Sequence, residues 1–334
     1  MVSITSKNTL PEDSIFKHIS SSHMEALIYM DGRRKGTIKS IKTPWPIVNE
    51  MLSGGLEWNT INIIGGRPGS GKTLAVNNIT RSAFDINTDQ TFAVLDFQLE
   101  MLGRNSSLRL LSSYMGMSMA ELKSSKSPVT VEQMVKARDF FNLKKDLPIY
   151  EIEKPVTVEG FKKIIRRFYA KFGVPFIVTL DHSILLKKAA SERDTLDMLY
   201  NLGEALTELK KELPVLFIIL SQLNREAESK ERLEPYKASN YPNSSDIFGG
   251  DALFQHADNV LILDRPTKRN LTNYGPHKWI VDDHKYIACH LLKARDGEPC
   301  MWWMNGDFAN MRILELNKSD YPKMGSSFKS KLSD

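Results

Sequence analysis

The stretch Gly65-Gly66-Arg67-Pro68-Gly69-Ser70-Gly71-Lys72-Thr73 contains the pattern G-x-x-x-x-G-K-[ST], running from Gly66 to Thr73. Glycine at positions 66 and 71 frees the backbone to curl, so that successive N–H groups point at an anion. An apolar run, Thr60 to Ile64, precedes the loop, and a helix-like run, Leu74 to Phe84, follows it. The helix adds its N-terminal dipole to the same anion site. Lys72 is placed to reach β and γ phosphates, and Thr73 to offer a hydroxyl to Mg²⁺. The expected ligand is ATP or another nucleoside triphosphate with Mg²⁺, held by Gly66, Arg67, Pro68, Gly69, Ser70, Gly71, Lys72 and Thr73.

Three further polar residues each follow an apolar run. Asp181 closes Pro175–Asp181 (PFIVTLD), where a Mg²⁺-organising acid belongs; a helix N-cap is its ordinary alternative. Glu100 follows Thr91–Phe97 and could orient or deprotonate an attacking water. Gln222 follows Pro214–Ser221, and its neutral amide can bond a γ-phosphate and respond to its loss.

The elements that must position these groups alternate along the chain. Strands are expected at Thr60–Ile64, Thr91–Phe97, Leu147–Ile152, Pro175–Asp181, Pro214–Ser221 and Asn259–Asp264. Helices are expected near 104–115, through the polar stretch 118–146, at Val158–Phe172 and at Arg193–Leu213, where leucines recur every three or four residues. Tyr286–Lys293 and Cys300–Met304 flank Asp296-Gly297-Glu298-Pro299 as a C-terminal hairpin. Near-continuous apolar strands between helices predict an α/β fold with a mostly parallel sheet covered on both faces. In such folds ligands sit at the carboxyl ends of the strands.

Three segments are expected: an arm at 1–42, a globular ATPase part at 43–317 and a loose polar tail at 318–334. In the arm, Ser14–Met30 reads as one amphipathic helix, followed by the linker Asp31–Gly36. That helix could pack on its own domain or on a neighbouring subunit. Composition is ordinary for a globular chain of 334 residues, with 25% charged residues and a net charge of +5 that permits a nucleic-acid partner without requiring one. Two cysteines, Cys289 and Cys300, indicate neither a disulfide framework nor a zinc cluster. No apolar run approaches membrane-spanning length, and a cytoplasmic location is expected.

The phosphate loop, Phe97-Gln98-Leu99-Glu100-Met101 and Leu220-Ser221-Gln222-Leu223-Asn224-Arg225 together resemble the motifs of DnaB-type replicative helicases, hexameric ring motors with a RecA-like core. The order and spacing agree from about Thr43 to Leu314. The resemblance implies that Glu100 is the catalytic base, Asp181 the acid of the second nucleotide motif and Gln222 a sensor joined to a DNA loop. It implies that Lys293 and Arg295, in Leu292-Lys293-Ala294-Arg295-Asp296-Gly297, act in trans on the next subunit's nucleotide; read alone they are two solvated charges on a turn. It places DNA contacts at Arg225, Phe248, Gly249 and Gly250 in the channel loop. Lys187, Lys188 and Arg193, after Asp181, are a second candidate contact or a solvated charge cluster. Phe248-Gly249-Gly250 stands where the family has an Arg-Glu-Ser-like triplet, and His182 where it more often has tyrosine. The implied partners are single-stranded DNA, further copies of the chain in a ring, and a loader or primase. The 42 residues before the core are too few for the family's primase-recruiting domain. A RecA-like or KaiC-like ATPase without unwinding activity is the alternative reading.

Overall fold

The computed structural model describes residues 16–224, 229, 232 and 239–325. Contacts divide the chain into two units, Met1–Ser40 and Ile41–Asp334. The first contains helix α1, Ile19–Lys35, ended by Gly36 in the left-handed conformation (φ 70°). The helix begins later than the sequence suggests and absorbs the expected linker. Ile19, Met24, Leu27, Ile28 and Met30 are all exposed along it.

In the second unit, a short helix α2 (Pro46–Met51) leads to strand β1 (Thr60–Gly66), helix α3 (Lys72–Ile86) and strand β2 (Ala93–Gln98). Helices α4 (Gly103–Met115), α5 (Met119–Leu122) and α6 (Val131–Lys144) follow, then β3 (Ile149–Ile152), α7 (Val158–Phe172) and β4 (Phe176–Asp181). The stretch expected to be helical from 118 to 146 is broken around Ser127-Pro128, and Thr130 starts α6 with a reciprocal capping box. Helix α8 (Thr195–Glu212), β5 (Val215–Gln222) and β6 (Asn259–Asp264) complete the parallel part. Short strands β7 (Asn273–Tyr274) and β8 (Trp279–Ile280), then β9 (Tyr286–Ala294), β10 (Cys300–Asp307), β11 (Arg312–Glu315) and β12 (Lys323–Met324) close the fold.

The large sheet runs β11-β10-β9-β6-β1-β5-β4-β2-β3. Strands β3, β2, β4, β5, β1 and β6 are mutually parallel, and β9, β10 and β11 extend the sheet antiparallel. Alternation divides its side chains between two faces. Ile61, Ile63, Phe217 and Ile219 meet Phe161, Ile165, Leu202 and Leu206 of α7 and α8. Ile64, Leu216, Ile218 and Leu220 meet Ala75, Val76 and Ile79 of α3, with Trp302 of β10.

The tail differs from the expectation. Strand β12 pairs antiparallel with β8, so residues 323–324 belong to a small second sheet rather than a loose end. Tyr274 and Trp303 form a buried cluster with Leu271, Val281 and Ala288, flanked by Trp279 and Tyr321. No described helix is long and apolar enough to cross a membrane.

Candidate active site

The phosphate loop joins β1 to α3 at the carboxyl end of the parallel strands. A Cβ on Gly66 would lie 2.5 Å from the Leu263 carbonyl oxygen, so only glycine fits there beside β6. Gly69 and Gly71 take φ of 75° and 103° and turn the loop into the helix. Lys72 folds back over the loop, donating to the carbonyls of Gly66 (2.7 Å) and Arg67 (3.1 Å). Burial pulls its ammonium down to about 8, while Asp181 and Glu100 act in the opposite direction. The Ser70 hydroxyl is buried with no hydrogen-bond partner among the described residues.

Asp181 ends β4 and accepts a hydrogen bond from the Thr73 side chain. Burial pushes its carboxyl up to about 6, with Thr73 pulling the other way and Glu100 and Asp96 adding repulsion. A hydroxyl and a carboxylate side by side form a hard-oxygen pair of the kind Mg²⁺ takes. The orphaned Ser70 hydroxyl and the desolvated acid both fit a cation and its anionic ligand at this point. Glu100 lies beyond β2 on an exposed turn, close enough for its charge to act on Lys72, Asp181 and His182.

A network that the motifs do not reveal fixes that turn. Thr179 donates to buried Asp96, and the Gln98 amide donates to Asp96 (2.7 Å) and to Ser106 on α4 (3.1 Å). The Gly103 N–H, opening α4, donates to Glu153 (2.7 Å). The turn carrying Glu100 is therefore pinned at both ends.

Lys72, Thr73, Glu100, His182, Gln222, Arg265 and Phe308 line one cleft of about 350 Å³. The last two carry no sequence motif. Arg265 follows β6, donates to the Gly69 carbonyl (3.0 Å) and lies over the Phe308 ring, 3.6 Å from its centroid. A basic residue just past an apolar strand is the one signal of it in the sequence.

Gln222 ends β5 with its amide nitrogen 3.3 Å from the His182 ring. Its backbone carbonyl accepts from Phe248 N–H (2.8 Å), and Asn224 N–H donates to the Asp246 carbonyl (2.6 Å). Leu223 and Ile247 form an antiparallel bridge, and Arg67 donates to the Leu223 carbonyl (3.2 Å). The end of β5 thus runs from the phosphate loop directly into residues 244–248.

The other candidate contacts are distributed unevenly. Lys187 and Lys188 are exposed, and Lys188 donates to the Arg193 carbonyl (2.9 Å). The Arg193 guanidinium is paired with Asp197 (2.7 and 2.9 Å), an internal contact that the sequence does not show. Phe248 is exposed. Gly249 has φ 64°, and a Cβ there would lie 2.5 Å from Leu199. Gly250 begins the helix Gly250–Phe254, so the candidate contacts at 248–250 lead directly into an element of the fold. Arg225 lies outside the described residues.

Lys293 and Arg295 stand at the opposite, amino end of the parallel strands. Lys293 pairs in register with Val260 at the start of β6 and donates to the carbonyls of Phe254 (2.8 Å) and Gln255 (3.2 Å). Arg295 pairs with buried Asp258 at 3.0 Å, which also takes Lys210 (2.6 Å) and the Ile61 N–H (2.8 Å). Six residues of β6 separate this end from the cleft, ~20 Å at strand rise. One chain does not bring the pair to its own phosphate loop.

A mostly parallel sheet with a phosphate loop after β1 and polar groups at the ends of β2, β4 and β5 defines a RecA-like nucleotide-binding protein. The sequence pattern of the DnaB-like helicase C-terminal domain matches residues 40–303, and the chain belongs to that family. It is 28% identical over 251 residues to the replicative DNA helicase DnaB of Helicobacter pylori strain 26695, covering 75% of this chain and 48% of the relative. It is 26% identical over 234 residues to the replicative DNA helicase DnaC of Bacillus subtilis strain 168, covering 70% and 48%. The chain spans about half the length of these relatives. Among solved structures, one described as an ATPase domain superposes with a TM-score of 0.71 at 20% identity, over 88% of this chain and 98% of that one. A DnaB-like replicative helicase described with its interactions with primase gives 0.72 at 20% identity, over 89% and 70%.

Proposed function

We propose that this chain is the motor of a ring helicase that hydrolyses ATP, moves along single-stranded DNA and separates duplex DNA. The unit that begins at Ile41, strand β12 included, forms the motor and the residues before it the arm; the setting is cytoplasmic. The observation that carries the reading is the run of hydrogen bonds from the phosphate loop and Gln222 into residues 244–248. A nucleotide cleft wired into a surface loop suits a motor that converts phosphate state into movement. The relatives' names support the same activity.

Lys72 and the backbone of residues 66–73 hold the triphosphate, and Thr73 with Asp181 would hold Mg²⁺, which when bound neutralises phosphate charge. Glu100 takes the proton of the attacking water, held in place by the Gln98 and Gly103 contacts. Gln222 reads the γ-phosphate and passes its presence to Phe248 through the backbone. Lys293 and Arg295 reach the neighbouring subunit's nucleotide, which requires a ring, six-membered on the family pattern. Lys187, Lys188 and residues 248–250 face single-stranded DNA. The solved relative described with primase makes a primase or loader the partner to try first.

A forked duplex carrying a 5′ or a 3′ tail tests this. Strand separation that needs ATP and Mg²⁺, with turnover stimulated by single-stranded DNA and stimulation falling as salt rises, is expected. Turnover indifferent to single-stranded DNA at low salt, with no separation on either tail, would favour a regulatory RecA-like or KaiC-like ATPase.

A further inference from the structure

The segment between β5 and β6 leaves the sheet at Gln222, and its described run into β6 begins at Ser239. Its first end is tied to the phosphate loop by Arg67, which donates to the carbonyls of Leu223 (3.2 Å) and Asn224 (3.4 Å). Its second end is tied to the same loop by a different route. Arg265 grips the phosphate loop through the Gly69 carbonyl (3.0 Å) and also donates to the His284 carbonyl (2.9 Å). Residues Pro266–Arg269 form a single 3₁₀ turn, with Lys268 N–H bonded to the Arg265 carbonyl (2.9 Å). Arg269, at the far end of that turn, donates to the Asn240 carbonyl (2.9 Å).

The grip of Arg269 is buried and braced. Its side chain is 6% exposed and pairs with the 4% exposed carboxylate of Asp264, the last residue of β6. Tyr274 O–H donates to the same carboxylate oxygen (2.8 Å), so the 2.7 Å contact between that hydroxyl and His290 Nε2 requires the ring nitrogen to donate. Burial holds His290 neutral, with its ring pushed down to about 3. His290 in turn stacks on Tyr241, centroids 5.8 Å apart and 11° from parallel. The Asn240 side chain accepts from Gly275 N–H (2.7 Å) and donates to the Asn273 carbonyl (2.7 Å). Residues 240 and 241 are therefore held by the turn after β6 and by the strands behind it, and Tyr241 is held as well from within the segment, its carbonyl accepting from Arg232 (2.6 Å), which pairs with Asp246 (2.8 Å).

We propose that Arg269, braced by Asp264 and Tyr274, is a positioning residue that couples the phosphate loop to the second end of the β5–β6 segment. A displacement of Gly69 on nucleotide exchange is carried by Arg265 through a one-turn lever to Asn240. Short packed elements with buried ion pairs transmit such shifts because they deform little. The segment is thereby driven from both ends, by Gln222 and Arg67 at one and by Arg269 at the other. The inference rests on the DNA-coupled motor reading above.

The test uses the full chain, with Arg269→Gln, Arg269→Lys and Tyr274→Phe measured for turnover without DNA, turnover with single-stranded DNA, and DNA affinity in a non-hydrolysable triphosphate and in diphosphate. Folding and assembly are checked by circular dichroism and by mass. Arg269→Gln is expected to keep DNA-free turnover within about twofold while losing about fivefold or more of the stimulation, at the lower edge of ordinary coupling factors. The ratio of DNA affinities between the two nucleotides should fall toward one, and Arg269→Lys should recover part of both. A merely structural role would lower melting temperature and leave those ratios intact. A folded Arg269→Gln protein with wild-type ratios overturns the proposal. If Arg269→Gln does not fold, Tyr274→Phe decides: reduced ratios sustain the proposal and wild-type ratios overturn it. Absence of stimulation in the wild type would instead bring down the motor reading, and this inference with it.

Discussion

The two ends of the parallel sheet treat their charges in opposite ways. At the carboxyl end, Lys72 is lowered to about 8 and Asp181 raised to about 6, both chiefly by burial, and the Ser70 hydroxyl has no described partner. At the amino end, Asp258 is satisfied by Lys210, Arg295 and the Ile61 N–H, and Lys293 satisfies two carbonyls at the end of the helix Gly250–Phe254. One end is electrostatically incomplete and the other is complete within its own chain. Incomplete charge marks a place for a ligand. The Arg295 guanidinium is held by Asp258 yet stays 57% exposed, so an anion from outside would share it with that carboxylate. On the ring reading the two ends of neighbouring copies make one site.

Arg295→Ala separates the two ends most sharply. Turnover should fall ~10³-fold or more, as for an arginine finger, while nucleotide affinity stays within a few-fold because Lys72, Thr73 and Asp181 remain. Mixing this variant with Lys72→Ala protein should raise ATPase above either alone, since some interfaces then pair an intact loop with an intact arginine. Wild-type turnover in Arg295→Ala would remove the amino end from the chemistry.

Glu100→Gln probes the carboxyl end alone. It should lower kcat by ~10² to 10⁴, the usual contribution of a positioned base, with triphosphate binding retained in a fluorescent-nucleotide titration. Normal turnover would reassign the base.

Phe308→Ala should have the smallest effect. It removes the ring beneath Arg265, a contact of ~0.5 to 2 kcal/mol, and should raise KM for ATP by roughly two- to thirtyfold with kcat little changed. An unchanged KM would mean that Arg265 holds Gly69 without the ring.

Much of the sheet is visible in local pattern. The expected runs Pro175–Asp181 and Pro214–Ser221 match β4 and β5 to within one residue at each end, because strands buried on both faces must be continuously apolar. Local pattern misplaces the start of α1 and hides the break between α5 and α6, because helix ends depend on caps such as Thr130 that compete with the propensity of their neighbours. Arg193 reads as a free cation in the sequence, and Asp197 one turn later takes it.

By itself the sequence determined the phosphate loop, the parallel strands and the order of the groups that close them. Each rests on contiguous residues: the conformational freedom of Gly66 and Gly71, the alternation of an apolar strand, the polar residue at its end. The tertiary structure alone decided which distant residues meet. It placed Arg265 and Phe308 beside Gly69, Asp258 against Arg295, Gln98 against Ser106 and Arg269 against Asn240. These contacts depend on strand order and on antiparallel β9 and β10, set by packing across the whole sheet, and chain-local pattern does not encode them.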